Sequence, residues 1–312
     1  RHDIDPTAIL APFYFLFFGL MLSDAAYGLI LTTLCAIILK KYKPEGTTHR
    51  MIKMFMFCGL STFMWGALFG GWFGNFFTVA AKTFFGKEFV IKPLWFDPLS
   101  EPMKLLVVSL ILGAIHLFVG MGVQAYMDIK DGRPLDALFD IGLWYLLLIG
   151  IVLFAFGGKL GAGAVGIGKI MAIIGAVGIL LTGGRKKKGI FGKLTGGLGS
   201  LYGITSYLSD VLSYSRLLAL GLATGVVAQV FNTLGSLAGG GIAGSVLLIV
   251  VFAFGTVFNI AINALGAFVH SCRLQYVEFF GKFYTGGGRP FAPFERKTKY
   301  IKILKEGNDN VK

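Results

Sequence analysis

Charged residues are scarce in this chain. Asp, Glu, Lys and Arg make up 14% of its 312 residues, while hydrophobic residues make up 55% and the mean hydropathy is +0.74. Because soluble domains usually carry about a quarter charged residues, this composition argues against a soluble fold. Cysteine is also rare, and Cys35, Cys58 and Cys272 lie within apolar runs without metal-ligand spacing. We therefore expect neither a disulfide framework nor a metal site.

Nucleotide-binding motifs are absent as well. Neither GxxxxGKS/T nor GxGxxG occurs in a strand-turn-helix context, so no cofactor is expected. The net charge is +13, but Lys and Arg cluster in a few loops and the tail and form no basic face with interleaved aromatics. This distribution argues against nucleic acid as a partner. The chain starts without Met or a signal-peptide pattern, so we expect it to be part of a longer protein.

Long apolar stretches are the main feature that is present. Seven of them can cross about 30 Å of hydrocarbon as helices, which predicts an all-α polytopic membrane bundle. They are residues 8–39, 51–80, 103–127, 139–157, 163–183, 205–234 and 243–284. The first would be about 48 Å long as one helix and carries Asp24 near its middle. One long helix and a hairpin turning at Ser23 and Asp24 are both compatible with it.

The basic loops indicate the topology. Loop 40–53, loop 184–193 and the tail 282–312 are rich in Lys and Arg, and the positive-inside rule places all three in the cytoplasm. An even number of crossings separates each from the next, so the assignment is self-consistent. Loops 81–102 and 235–242 are then outside. The N-terminus lies outside if 8–39 is one helix and in the cytoplasm if it is a hairpin.

Two arginines lie inside the last two apolar stretches. A charge at membrane depth costs from about 2.5 to over 10 kcal/mol, so it persists where it faces a partner or water. Arg216 lies too far from both ends of 205–234 for its side chain to reach the surface. Arg273 is closer to the cytoplasmic end, where snorkelling remains an alternative. Both arginines are candidate ion-translocating residues.

Polar residues line up on both sides of the arginine pair. Asn259, Asn263, Gly266, His270 and Arg273 follow helical spacings of 4, 3, 4 and 3 and run outward. A second stripe runs from Arg216 toward the cytoplasm. Two polar stripes that meet at a pair of cations are the arrangement that two offset half-channels require. Alternatively, the polar groups only form hydrogen bonds between helices, each stabilising the bundle by about 0.6 kcal/mol. The predicted half-channel residues are Asn259, Asn263, His270, Gln229, Asn232, Ser206, Ser209, Asp210, Ser213 and Glu278.

Three further residues are predicted to be structural. Gly221 and Gly225 form a GxxxG pattern beyond Arg216, on a small face that allows another helix to approach closely. Such a face would suit a mobile partner that carries the ion on a carboxylate. Asp24 is expected to bond backbone amides or a lysine, because an unpaired carboxylate in lipid is costly.

Four motifs carry a family resemblance. They are LSYSRLLALGLA at 212–223, VHSCRLQYVEFF at 269–280, PFYFLFFGLMLSDAAYG at 12–28 and GRPFAPF at 288–294. In this order, and spread over nearly the whole chain, they resemble the membrane domain of subunit a of V-type rotary ATPases, called subunit I in bacteria and archaea. The first two motifs correspond to the family's segments around its essential and its second arginine, here Arg216 and Arg273.

The resemblance implies an architecture. Eight membrane helices are expected, preceded by a soluble stator domain that this chain lacks, so the N-terminus is cytoplasmic and 8–39 crosses twice. The implied divisions are a peripheral bundle at 1–183, a cytoplasmic basic connector at 184–204, a helix pair facing the rotor at 205–284 and a cytoplasmic basic tail at 285–312. The implied location is a prokaryotic cell membrane.

The resemblance also implies a function. The chain is expected to be the static, non-catalytic subunit of an ATP-driven motor, with ATP hydrolysed on other subunits. Its implied partners are a rotor ring of membrane proteolipid subunits, peripheral-stalk and central-stalk subunits, and lipid. The ring carboxylates would exchange H⁺ or Na⁺ through the half-channels and meet the arginines between them.

One departure from the family bears on the ion. Many members carry Glu ten residues before the second arginine, and Asn263 stands there in this chain. Asn offers a carbonyl ligand but no titratable proton, which favours Na⁺ slightly. Two other functions remain open. A secondary transporter should show internal repeats, which we do not find, and a purely structural membrane anchor has no need for paired buried arginines.

Overall fold

The computed structural model describes residues 5–85, 91–157, 162–183, 185, 190–237, 239 and 241–284. The α-helices are α1 (Thr7–Leu22), α2 (Ala25–Tyr42), α3 (Gly46–Phe69), α4 (Phe76–Phe85), α5 (Pro102–Lys130), α6 (Pro134–Ala137), α7 (Leu143–Phe156), α8 (Ala162–Thr182), α9 (Ile190–Ser213), α10 (Ser215–Ser236), α11 (Ile242–Arg273) and α12 (Phe280–Phe283). Two π-helices, π1 (Leu138–Gly142) and π2 (Leu274–Phe279), join α6 to α7 and α11 to α12.

The fold is an all-α polytopic membrane bundle, as the sequence predicted. Seven helical stretches in the described residues are long and apolar enough to cross a membrane, and α1 is a shorter apolar helix. The last two stretches are Thr195–Ser236 with 42 residues and Gly244–Phe283 with 40. Each is about 60 Å long, roughly twice the hydrocarbon thickness, so both must tilt strongly or extend beyond it.

The first apolar stretch is divided at the predicted turn. Helix α1 ends at Leu22, Ser23 adopts a left-handed conformation with φ 33°, and Asp24 begins α2. Both helices pack mainly on α3 rather than on each other. Gly66 of α3 permits this approach, because a β-carbon there would lie 2.0 Å from the backbone nitrogen of Ala25.

The predicted second stretch, 51–80, is not one helix. Helix α3 begins earlier, at Gly46, and ends at Phe69, after which Gly70 turns the chain with a φ of 73°. Gly74 is also left-handed, and α4 begins only at Phe76. Glycine adopts this conformation without the steric cost that other residues incur, so the glycines end the helix although the apolar run continues.

The predicted stretch 205–234 also needs correction at two points. Helix α9 begins at Ile190, so residues 190–204 are helical and not part of a connecting loop. Gly197 allows α9 to contact α8 closely, since a β-carbon there would lie 2.0 Å from the carbonyl oxygen of Leu180. The helix is then interrupted at Tyr214, whose N–H bonds to Val211 O at 3.1 Å in a tighter three-residue turn. Arg216 therefore lies in the first turn of a new helix.

The last stretch contains a π-helix directly after Arg273. Helix α11 ends at Arg273, and Leu274–Phe279 form π2 before the short α12 ends at Phe283. Such wide turns are rare within helices and often occur at functional sites. The predicted tail 285–312 lies outside the described residues.

Candidate functional site

Helices α10 and α11 are antiparallel, and their contacts determine the relative height of the two arginines. A β-carbon on Gly266 would lie 3.5 Å from the side chain of Leu220, and Gly255 meets Phe231 further along. Counting four residues from the Gly266–Leu220 contact places Arg216 opposite residue 270. Arg273 then lies about 4.5 Å further along the axis, less than one helical turn away. The two guanidinium groups can therefore serve one site.

Neither arginine is neutralised within the described part of the chain. Arg216 and Arg273 form no salt bridge there, and Nη1 of Arg216 is buried without a hydrogen-bond partner. Nδ1 of His270, at the height of Arg216, is likewise buried and unpaired among these residues. A buried guanidinium without an anion is costly, so this arrangement calls for a partner from outside the described chain.

The two arginines differ in their surroundings. Arg216 is half-buried between helices, whereas Arg273 is exposed. Arg273 continues an exposed stripe of α11 whose other members are apolar. They include Ile262, Leu265, Val269 and, in π2, Tyr276. A single cation within an apolar stripe is a surface that can contact an apolar helix bearing one carboxylate.

The predicted outward stripe on α11 turns away from Arg273. Asn259 is fully buried and donates from Nδ2 to the hydroxyl of Tyr27 at 3.0 Å and to Thr224 O at 3.1 Å. Asn263 donates to the side-chain and main-chain oxygens of Asn259. The stripe's mean spacing of 3.5 residues falls short of the 3.6 residues of a helical turn, so its members drift around the helix. Asn259 thus joins α11 to α2 and α10, and Asn263 bonds to it within α11.

A polar cavity lies on the predicted outer side. Its volume is about 210 Å³, and Gln229, Asp24, Asn75, Gly221 and Gly225 are among its lining residues. A water molecule occupies about 30 Å³ of liquid, so several waters fit. The cavity includes Gln229 from the predicted set but neither Asn259 nor Asn263.

Asn232 has a structural position beside this cavity. It is buried, and Nδ2 donates to Phe73 O at 2.9 Å and to Asn75 Oδ1 at 3.0 Å. These bonds hold α10 against the turn between α3 and α4. Because its donor group is already used within the fold, Asn232 differs from Gln229, which faces the cavity.

The glycines of α10 pack within the chain. A β-carbon on Gly221 would lie 3.1 Å from Leu20 O of α1, and one on Gly225 would lie 3.3 Å from Leu99. The predicted close approach therefore occurs, and α1 and the 91–101 segment are the elements that use it. The exposed small residue of α10 beside Arg216 is Ala219.

The predicted inward stripe is partly exposed. Ser206 and Ser209 are exposed on α9, and Ser213 is half-buried. Asp210 forms an ion pair with Lys282 of α12. Glu278, in π2, is buried at 2% exposure, and its Oε2 has no hydrogen-bond partner among the described residues.

Asp24 holds two turns together through backbone amides. Its Oδ1 accepts from the N–H groups of Ala26 at 3.0 Å, Tyr27 at 3.1 Å and Phe73 at 3.2 Å. Its Oδ2 accepts from Gly74 N–H at 3.0 Å. The side chain thus caps α2 and fixes the turn after α3, and of the two expected partners it uses amides rather than a lysine.

Sequence reasoning missed a buried histidine next to the arginines. His116 of α5 is fully buried, with Nδ1 2.7 Å from the hydroxyl of Tyr214 and Nε2 3.1 Å from Oε1 of Gln275. Tyr214 precedes Arg216 by two residues and Gln275 follows Arg273 by two. The available signal was a lone histidine in the apolar run 103–127.

The fold and site define a polytopic helical membrane protein with uncompensated arginines between its last two long segments. Its sequence matches the profile of the V-type ATPase 116 kDa subunit family over residues 204–296. It is 35% identical to the A-type ATP synthase subunit I of Methanocaldococcus jannaschii, over 96% of this chain and 46% of that protein. The chain belongs to this V-type ATPase subunit family.

Other relatives agree with this assignment. The A-type ATP synthase subunit I of Thermococcus kodakarensis is 37% identical over 97% of this chain and 45% of its own length. The V-type ATP synthase subunit I of Chlamydia trachomatis is 23% identical over 94% of this chain and 52% of its own. The chain spans about half the length of the curated relatives it matches.

Proposed function

We propose that this chain is the static membrane part of an ATP-driven rotary V/A-type ATPase and provides two offset half-channels for H⁺ or Na⁺. ATP hydrolysis takes place on other subunits, and this chain contributes no catalytic residue. Its partners are a rotor ring of proteolipid subunits that bear carboxylates, the stalk subunits and lipid. Its relatives are A-type ATP synthase subunits I, which supports a place in such a complex.

The observation that carries the proposal is the uncompensated arginine pair. Arg216 and Arg273 lie within one helical turn of height and have no carboxylate partner in the described chain. A ring carboxylate at this site would be held ionised by the nearby cations, so its ion is released before the carboxylate passes. The fixed positive charge also opposes direct passage of a cation between the two tracks.

The outer path begins at the polar cavity. Its volume of about 210 Å³ is large enough for several waters, and its lining residues on α10 are Gln229, Gly225 and Gly221. Gly221 is five residues from Arg216, or about 7.5 Å along the helix. This cavity is the proposed outer half-channel entrance. Asn259 contributes by holding α11 to α10 beside it.

The inner path lies along α9 and π2. Ser206 and Ser209 are exposed, and the unpaired oxygen of Glu278 is the buried acidic group on this side. Glu278 can hold a proton or attract a sodium ion between the cytoplasm and the arginines.

The ring ligands distinguish H⁺ from Na⁺, because a set that includes Gln, Thr and Glu coordinates sodium, whereas a lone carboxylate carries a proton.

The test is ion pumping by complete complexes that carry Arg216→Ala. Assembly and ATP hydrolysis should persist, while pumping into sealed vesicles falls at least about tenfold, because the ring carboxylate loses its partner. Arg133→Ala is the matched control, since Arg133 is exposed and pairs with Asp128 over 3.4 Å. It should pump normally.

The alternatives predict different results. A purely structural anchor predicts normal pumping by every assembled Arg216 variant. A secondary transporter predicts ion flux through the chain without the ring and without ATP. Either result would refute the proposed half-channels.

A further inference from the structure

We infer that His116 is a positioning residue for ion translocation: by bonding Tyr214 and Gln275, it keeps Arg216 and Arg273 at a fixed height and direction relative to each other. The inference rests on the proposed function, and it concerns a third helix, α5, that contributes neither arginine. The residues that His116 joins are 98 and 159 positions away from it in the chain.

The bonds of the imidazole are directional. A neutral histidine has one donor and one acceptor nitrogen. Because Oε1 of Gln275 can only accept, Nε2 of His116 donates to it, at 3.1 Å. Nδ1 is then the acceptor and takes the hydroxyl proton of Tyr214, at 2.7 Å. Both nitrogens of this buried ring are used, and each bond ends on a different one of the two long segments.

Both partners lie at irregular points of their helices. Tyr214 stands between α9, which ends at Ser213, and α10, which begins at Ser215. Gln275 lies in π2, directly after Arg273. An interruption or a wide turn changes the direction of every following side chain, so these two points decide where the arginines point. An isolated helix would relax toward regular α-geometry unless other contacts prevented it.

The histidine ring is packed among three phenylalanine rings. It stacks on Phe279 with 4.5 Å between ring centroids and an interplanar angle of 3°. Phe13 and Phe17 of α1 contact it at 4.5 and 5.1 Å. Phe279 belongs to π2, as Gln275 does, so the stacking is a second contact between α5 and π2, and the α1 rings restrict the imidazole further.

Helix α5 approaches Tyr214 closely enough to support this role. A β-carbon on Gly113 would lie 2.3 Å from the Tyr214 ring. The tyrosine ring therefore rests on the α5 backbone one turn before His116. Movement of the α9–α10 interruption relative to α5 is restricted by both packing and the hydrogen bond.

Losing the two bonds should reduce coupling, which is the number of ions moved per ATP hydrolysed, without preventing assembly of the complex. His116→Phe keeps an aromatic ring of similar size but leaves Tyr214 and Gln275 without this partner. An error of about 1 Å in a reacting group can cost up to about a hundredfold in rate, so a drop of about tenfold in ions moved per ATP is expected. ATP hydrolysis and complex assembly should stay near the unmodified level.

The experiment measures ions moved per ATP hydrolysed by complete reconstituted complexes. His116→Gln supplies an amide that donates and accepts, and it should recover about half or more of the coupling lost in His116→Phe. His49→Ala is the control, because His49 is exposed on α3. Normal coupling in assembled His116→Phe complexes would overturn the inference.

Tyr214→Phe provides an independent variant that removes only one hydroxyl group. It should lower coupling, and the double variant with His116→Phe should be no worse than His116→Phe, because both changes break the same bond. Additive losses would overturn the inference, and so would normal coupling in Tyr214→Phe, which can be measured even if His116→Phe fails to assemble. Arg216→Ala in the same assay separates the two proposals: if it abolishes pumping while His116→Phe couples normally, only the positioning role is wrong.

Discussion

The ammonium group of Lys282 pairs with the carboxylate of Asp210 and also lies 4.1 Å from the centroid of the Tyr207 ring. Lys282 belongs to α12, and both of its partners belong to α9. The pair thus joins the end of the second long segment to the last turn of α9, just before the interruption at Tyr214. Asp210 was predicted to line the inner half-channel, and in the structure its carboxylate joins α9 to α12.

Charge reversal should show whether the Lys282–Asp210 pair stabilises the fold. Asp210→Lys or Lys282→Asp leaves two like charges in contact, and each should destabilise the protein by about 1–3 kcal/mol. The double reversal should recover most of that loss in thermal unfolding of the detergent-solubilised protein. Additive destabilisation in the double variant would show that the pair does not stabilise the fold.

Glycine substitutions should have opposite effects at two positions in long helices. Gly66→Ala places a β-carbon 2.0 Å from the backbone nitrogen of Ala25, which neither backbone can accommodate without moving, so folding yield should fall sharply. Gly199→Ala meets nothing within 4 Å and should be neutral or stabilising by up to about 1 kcal/mol. Thermal unfolding checks both. Equal stability of the two variants would contradict the packing of α2 on α3.

Asp24 should be required for folding but not for conduction. Asp24→Ala removes acceptors for four backbone N–H groups, whereas Asn keeps a capping oxygen, so Ala should be far more destabilising. Pumping per assembled Asp24→Asn complex should match the unmodified protein. An Asn variant that assembles and hydrolyses ATP without pumping would make Asp24 part of the ion path.

The membrane topology can be checked by cysteine labelling. Replacing Cys35, Cys58 and Cys272 first removes the native thiols, of which Cys35 and Cys58 are buried. A cysteine at residue 5, in 40–53, in 184–200 or after 284 should then react from the cytoplasm, and one in 81–102 or 235–242 from outside. Labelling of residue 5 only from outside would contradict a first stretch that crosses twice.

The two arginines should differ in their tolerance of lysine. Arg216 is half-buried, so Arg216→Lys loses the planar fork and introduces an ammonium group that loses its proton readily on desolvation. Pumping should drop sharply. Arg273 is exposed on an apolar stripe, and an ammonium on its flexible stem can still approach a ring carboxylate, so Arg273→Lys should keep partial activity. Pumping is compared at equal assembly and ATP hydrolysis, and greater activity in Arg216→Lys would reverse the assigned roles.

Local sequence features predicted the membrane class and the long apolar helices and offered a turn at Ser23 and Asp24, which the family resemblance then favoured over a single helix. These depend on the length and composition of apolar runs and on residues that favour turns, which act over a few positions. The predicted boundaries at 80 and 205 were wrong, because α3 ends at Phe69 and α9 begins at Ile190. An apolar run shows that a segment can enter lipid, but glycine conformation and helix packing decide where each helix ends.

Arg216 and Arg273 stood out in the sequence because a charge within a long apolar run is costly in any fold. Their environment followed only from the tertiary structure. Whether a residue of a lipid-embedded helix faces lipid or a neighbouring helix depends on contacts between distant segments. Asn259 of α11 therefore faces Tyr27 and Thr224. For the same reason His116 showed nothing in the sequence beyond a lone histidine, because its two hydrogen-bond partners meet it only when α5 packs between the two long segments.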